Sequence, residues 1–171
     1  MNNKILTLDA SSPEELSAKL TVLQKGGELA SARFASLAIS GPQVLVRPFE
    51  LTKVAPKDIP TRLQFEAVEL LSLPASEVVV DFQALHTASD KVTGIMLCAP
   101  RKLLGDYLAA LKKVKLTPLS ITSRILTGID IFLKSGEPPK GRSCLLDLSR
   151  ENVIGLSLLC DKRCELIREI P

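Results

Sequence analysis

One stretch of the sequence, Ile39 to Leu85 (ISGPQVLVRPFELTKVAPKDIPTRLQFEAVELLSLPASEVVVDFQAL), lays out as strand, helix, strand, and the rest of the chain is arranged around it. Gln43 to Leu51 alternates: Val44, Val46 and Pro48 point one way, Leu45, Arg47 and Phe49 the other, the period-2 pattern of a strand. Gly41-Pro42 opens it, and Pro48, which cannot donate to a ladder, marks it as an edge or bulged strand. Asp58 is placed as an N-cap, and Pro60 falls in the first helical turn, where a missing N–H costs nothing. Ile59, Leu63, Ala67, Leu70 and Leu71 then recur at helical spacing, with Arg62, Glu66 and Glu69 on the opposite face. Pro74 stops the helix. Glu77 to Leu85 returns as a strand whose run Val78-Val79-Val80 predicts burial on both faces.

Upstream, Lys4 to Leu8 reads as a short strand. Ser12 is placed as a helix N-cap with Pro13 next and Glu15 three on for a capping box; Leu16, Leu20 and Leu23 line one side until Gly26-Gly27 ends the helix. Ala32 to Ile39, short and apolar, reads as a buried strand. Downstream, the polar turn His86 to Lys91 leads into a strand from Val92 to Ala99. From Pro100 a helix carries Leu103, Leu104, Tyr107, Leu108, Leu111 and Val114 as a broad apolar stripe. Leu116 to Thr122 is a strand broken early by Pro118, and Ser123 caps a helix that buries Ile125, Leu126, Ile129, Phe132 and Leu133. The loop Ser135 to Arg142 precedes three strands, Cys144 to Leu148, Val153 to Cys160 and Cys164 to Ile170, the last two joined by a tight Asp161-Lys162 turn. Taken by itself, Gln43 to Thr122 has the order strand, helix, strand, strand, helix, strand. That is the order of a ferredoxin-like sheet, which is the rival architecture.

Composition narrows the function classes. With 46% hydrophobic and 24% charged residues over 171 positions, the chain suits one globular domain, or two small ones sharing a core. A net charge of +3, with 22 basic residues interspersed among 19 acidic ones, describes a mixed solvated surface rather than a nucleic-acid footprint. Aromatics at 4% with no Trp leave little material for base stacking. No run approaches the roughly 20 apolar residues that span a bilayer, and MNNKILTLDASSPEEL has no signal-peptide core. A cytoplasmic location without direct membrane insertion is expected. Cys98, Cys144, Cys160 and Cys164 lack CxxC spacing and read as reduced thiols packed as small hydrophobes, not as a metal site.

The succession ISGPQVLVRPFEL, FEAVELLSLPASEVVVDFQAL, GIMLCAPRKLLGDYLAALKKVKLTPLSI and LLDLSRENVIGLSLLCDKRCELIREIP resembles the PilM family, actin-like cytoplasmic components of type IV pilus assembly related to FtsA and to the cytoplasmic part of GspL in type II secretion. The resemblance runs from about Ile39 to Pro171 and rests on order and spacing. It implies an α/β fold that is part of an actin-like (ribonuclease H-like) lobe, with residues 1–40 and 116–171 similar to subdomain IA and residues 41–115 to the small inserted subdomain IC. It also implies a scaffold that docks the cytoplasmic N-terminal segment of a PilN-like inner-membrane protein and so sits at the inner membrane through partners. An assembly ATPase and self-association are further partners it allows.

In that family nucleotide lies between two lobes, its phosphates held by two glycine-containing hairpins whose N–H groups approach closely because no Cβ intervenes. Here Leu8-Asp9-Ala10 carries Ala where the first hairpin needs Gly, and Leu146-Asp147-Leu148-Ser149 lacks the second glycine, with Arg150-Glu151-Asn152 as its turn. Asp147 and Ser149 are therefore the weak candidates for nucleotide and metal, Asp147 reading more simply as a surface turn aspartate. The resemblance makes ATP and Mg cofactors of a complete protein, and neither is expected to serve this chain, read as a fragment or a half-sized relative. Autonomous ATP hydrolysis is not expected.

Other catalytic readings are weaker. His86, the single histidine, stands beside a turn with no Ser or Cys at a motif spacing, and Asp58, Glu66, Glu69, Glu77 and Asp81 read as solvated charge. Gly26-Gly27 is a helix cap and not a phosphate loop. What remains is binding by shape, and the resemblance implies that the cleft takes a peptide: Arg47 and Arg124 are expected to line it, with Phe49, Leu51, Leu119 and Ile121 as apolar walls. The alternative function is a fragment of an actin-like ATPase that binds Mg-ATP when complete.

Overall fold

The computed structural model describes residues 6–88, 90–134, 140–150, 153–161 and 163–170. In chain order the elements are α1 (Pro13–Lys25), β1 (Phe34–Ile39), β2 (Leu45–Thr52), α2 (Ile59–Leu71), β3 (Val78–Thr87), β4 (Lys91–Pro100), α3 (Arg101–Lys113), β5 (Thr117–Ser123), α4 (Arg124–Lys134), β6 (Arg142–Arg150), β7 (Val153–Cys160) and β8 (Arg163–Ile170). The strands form three sheets, β1 with β5, β2-β4-β3 and β6-β7-β8. Two compact units result, Met1–Ser36 with Lys102–Ser120 and Leu37–Arg101 with Ile121–Pro171.

In the first unit α1 begins where its capping residues dictate. The Ser12 hydroxyl accepts from the Glu15 N–H at 3.2 Å, while the Glu15 carboxylate reaches one residue beyond a standard capping box and accepts from the Ser11 N–H at 2.6 Å. The helix closes in a Schellman turn: Gly27 takes a φ of 79° and the Glu28 N–H donates to the Leu23 carbonyl at 3.0 Å. Helix α3 ends in the same way with Lys115, φ 62°, in the position glycine favours, and the Leu116 N–H donating to the Leu111 carbonyl at 3.0 Å. Leu16 and Leu20 of α1 and Tyr107, Ala110 and Leu111 of α3 are buried, whereas Leu108, placed in the apolar stripe by its spacing, is exposed. Lys113 of α3 donates to the Ser17 hydroxyl of α1 at 3.3 Å.

Several expectations need correction. Leu6 to Leu8 carries no regular structure, so a strand over Lys4 to Leu8 is not formed there; the first five residues lie outside the described ones. Strand β1 is buried only at its last residue, Ile39; before it, exposed and half-buried residues alternate, because a two-stranded ribbon with β5 covers little of either face. The ferredoxin-like sheet is excluded by the same pairing. β5 joins β1 and leaves β2-β4-β3 with three strands. Asp58 makes no side-chain cap, since a 3₁₀ turn from Pro56 to Asp58 runs straight into α2 and puts its own backbone in the helical region.

The second unit is built on β4, which pairs antiparallel with β2 on one side and β3 on the other. One face of this sheet is covered by α2: Phe49, Leu63, Ala67, Val78, Met96 and Cys98 form a buried cluster there. The other face carries Val46, Ile95 and Leu97, packed with Ile125 and Ile129 of α4 and with Leu159 and Ile167 of the third sheet. The alternation read in β2 thus resolves into two cores on opposite faces.

Phe49 stands directly across from Gly94 in the ladder. Its ring lies over that glycine and meets Phe82 edge-to-face, centroids 6.1 Å apart at 78°. A methyl group on Gly94 would fall 2.6 Å from the Phe49 ring and nearer still to the Gln83 carbonyl oxygen. The carbonyl belongs to the adjacent strand and cannot turn away. Gly94→Ala is expected to cost about 3 kcal/mol, read as a lowered urea midpoint at unchanged slope.

A second prediction concerns α1. Lys19, 2.7 Å away, and then the Ser11 contacts pull the Glu15 carboxyl from its ordinary 4.5 down to about 2. A depressed carboxyl contributes stability above pH 4.5 and loses it as pH falls towards 2. The effect is small because solvent screens the pair. Amide exchange across the first turn of α1 is expected to accelerate over that window, and Glu15→Gln to remove the pH dependence.

Candidate functional site

The third sheet supplies the polar feature with most definition. Ser123, buried at the end of β5, caps α4 as its sequence position predicts: its hydroxyl accepts from the Leu126 N–H at 3.2 Å, and its carbonyl accepts from the Thr127 hydroxyl at 3.1 Å. The next residue, Arg124, places Nε 3.7 Å from Oδ2 of Asp147 on β6. Both side chains are partly exposed, so this pair is worth under ~1 kcal/mol. Asp147 is not a turn residue: it lies within β6, half-buried, opposite Gly155 of β7.

Gly155 is the residue that sequence reasoning missed. A Cβ there would stand 3.0 Å from the Asp147 Cβ and 3.3 Å from Ile125 Cδ1. Its lack of a side chain lets α4 and β6 close over β7 and brings Arg124 to Asp147. The available signal was a glycine inside the apolar strand run Val153-Ile154-Gly155-Leu156, which marks close approach by a neighbour. Gly155→Ala is expected to cost about 1–2 kcal/mol by overpacking. Thermal unfolding measures this.

Of the six residues expected to line a peptide cleft, those on β2 and the one on α4 belong to opposite faces of the central sheet. Phe49 is buried and Leu51 half-buried in the α2-covered cluster. Arg47 shares their face by strand alternation and donates from Nη1 to the Val46 carbonyl at 3.2 Å. There its positive charge opposes the burial that pushes the Cys98 thiol up to about 11, while Glu66 adds to the rise. Arg124 belongs to α4, which packs on the opposite face of that sheet. Ile121 is half-buried at the end of β5, and Leu119, in the first unit, is 67% exposed. The Ser149 side chain lies outside the described residues. His86, Asp58, Glu69, Glu77 and Asp81 are exposed and Glu66 half-buried; the Asp81 carboxylate accepts from the Phe82 N–H at 2.8 Å. Among the described residues no group of three or more His, Cys, Asp or Glu is placed to hold a metal ion. Among the same residues no helix is long and apolar enough to cross a membrane.

The chain has the fold of part of an actin-like ATPase lobe, mixed α/β with two three-stranded antiparallel sheets, a two-stranded one and flanking helices. Its fold is similar to that of a chain from the PilM-PilN type IV pilus biogenesis complex, with 22% identity and a TM-score of 0.77 over 95% of this chain and 50% of that one. It is also similar to the cytoplasmic domain of EpsL, an inner-membrane component of the type II secretion system of Vibrio cholerae: 12% identity, TM-score 0.59, 97% of this chain and 58% of that one. A third likeness is to a Bacteroides thetaiotaomicron protein with an actin-like ATPase fold and unknown function: 9% identity, TM-score 0.52, 90% and 55% covered. The chain thus spans about half the length of the structures it matches. No protein-family model matches it, and no curated protein matches it in sequence.

Proposed function

We propose that the chain is a docking component of a type IV pilus or type II secretion assembly, holding the short cytoplasmic segment of a PilN-like inner-membrane protein without chemical turnover. The fold likeness over nearly the whole chain to part of a PilM-PilN complex is the observation that supports this reading. On it, residues 1–40 and 116–171 are IA-like and residues 41–115 an IC-like insertion, and the protein works on the cytoplasmic side of the inner membrane. Arg124 is the side chain best suited to meet a peptide carboxylate. Its pairing with Asp147 is long and partly exposed, so exchanging partners costs little. The reading that shares the fold but not the function is a fragment of an actin-like ATPase, with Asp147 and Ser149 taking Mg-ATP in the complete protein; the likeness to an actin-like ATPase fold supports it.

Calorimetric titration separates the two. A synthetic peptide copying the cytoplasmic N-terminus of a PilN-like inner-membrane protein is expected to bind the chain, and Arg124→Glu to weaken that binding at least tenfold, with a parallel Mg-ATP titration silent. Saturable ATP binding without peptide binding overturns the docking reading and supports the ATPase fragment.

A further inference from the structure

The end of α3 in the first unit gathers positive charge. Lys112 and Lys113 close the helix, and the Lys115 N–H turns back to the Lys112 carbonyl at 3.0 Å. The Thr117 N–H then donates to the Arg33 carbonyl at 2.9 Å. Four cations from two segments of the chain, Arg33, Lys112, Lys113 and Lys115, are thus brought to one end of the helix, all of them exposed. Lys113 donates to the neutral Ser17 hydroxyl and keeps its charge. Acids of the unit are committed elsewhere: Glu15 pairs with Lys19, and Asp106, with a smaller pull from Glu14, holds the proton on Lys102. Among the described residues none of the four cations forms an ion pair. A helix C-terminus favours lysines because its free carbonyls carry partial negative charge, and that accounts for Lys112 and Lys113. It does not account for the other two. Lys115 holds φ at 62°, a left-handed conformation that is free to glycine and costly to lysine. Arg33 comes from the far segment, immediately before Phe34, which is 60% exposed; Leu119, just beyond Thr117, is 67% exposed.

We propose that this end of the first unit is an electrostatic contact for anionic phospholipid headgroups, with Arg33, Lys112, Lys113 and Lys115 meeting the phosphates and Phe34 and Leu119 entering the headgroup layer. The inference rests in part on the reading above, which puts the chain beside the inner membrane. Charge and composition select the occupant. Cations with bulky apolar side chains next to them are the make-up of an interfacial surface. The cytoplasmic leaflet is negative, and its attraction acts over about a Debye length without a close fit. Single-stranded nucleic acid stacks its bases on several aromatic side chains, and this cluster offers Phe34 alone. A protein layer over the cluster would have to set an acid against each cation or leave charge buried and unpaired. Each cation at the surface raises partitioning about fivefold. The contact is therefore weak and salt-sensitive, and it adds to whatever else holds the chain at the membrane.

The test is co-sedimentation of the full chain with vesicles of phosphatidylcholine alone and of phosphatidylcholine mixed equally with phosphatidylglycerol. Binding is expected to the mixed vesicles and not to the neutral ones, and to fall at least tenfold from about 50 to about 300 mM sodium chloride. Lys115→Gly is expected to raise the thermal midpoint, because glycine relieves the left-handed backbone, and yet to weaken vesicle binding about fivefold. Arg33→Glu combined with Lys112→Glu, both at exposed sites, abolishes binding with circular dichroism unchanged. Phe34→Ser weakens binding and leaves its salt dependence as it was. Equal binding to the two kinds of vesicle, binding to neither, or binding retained by the double charge reversal overturns the proposal. So does binding of polyglutamate or polyuridylate as tight as that of the mixed vesicles and indifferent to Phe34→Ser, which assigns the cluster to a soluble polyanion. The vesicles carry no protein, so a failure here leaves the peptide titration and its Arg124→Glu control untouched, and the two failures are told apart.

Discussion

Everything in the larger unit depends on what β4 can tolerate at Gly94. The strand is hydrogen-bonded on both edges, buried on the α2 face and half-buried along most of the other. At Gly94 one direction is filled by the Phe49 ring, lent by the strand opposite. That ring lies in the cluster of α2 residues Leu63 and Ala67, which are wholly buried, and meets Phe82 of β3. An aromatic residue facing a glycine across an antiparallel pair thus ties together three strands and a helix. On the reverse side Val46, Ile95 and Leu97 fix α4 and the third sheet. The position of Arg124 and Asp147 follows from that second layer.

Much of this was written locally. Alternation in β2, the stripe of α2, the Ser12 and Ser123 caps, Gly26-Gly27 and the three closing strands are short-range effects, in which a residue and its neighbours within a turn or a pleat decide the outcome. Apart from the Asp58 cap, which the adjoining 3₁₀ turn displaces, the main errors concern partners far along the chain. Whether β5 would join β1 or complete a four-stranded sheet depends on pairing energies that no window of residues contains. The same is true of β1, whose apolar composition suggested burial and whose place in a two-stranded ribbon denies it to all but Ile39.

The site was less legible than the fold, for a related reason. Period-2 alternation showed correctly that Arg47, Phe49 and Leu51 share a face. It could not show that α2 would lie on that face and leave Arg124 on the far side. Asp147 looked like a turn residue because the turn that follows it is polar; the strand continues past it because Gly155 accepts it at close range. The resemblance to the PilM family pointed to the right kind of fold, which the solved structures match at a level of identity where residue-by-residue transfer has no footing.

Cys98 has a practical meaning beyond its packing. Its thiol lies fully buried in the α2 cluster and stays protonated until a pH of about 11, whereas Cys144 stands exposed on β6. Thiolate is the species that alkylating reagents consume, and it forms only where water reaches sulfur. The molecule therefore carries its own clock. The rate at which Cys98 is modified, with Cys144 as the internal standard for an unobstructed thiol, reports how often the central sheet parts from its covering helix.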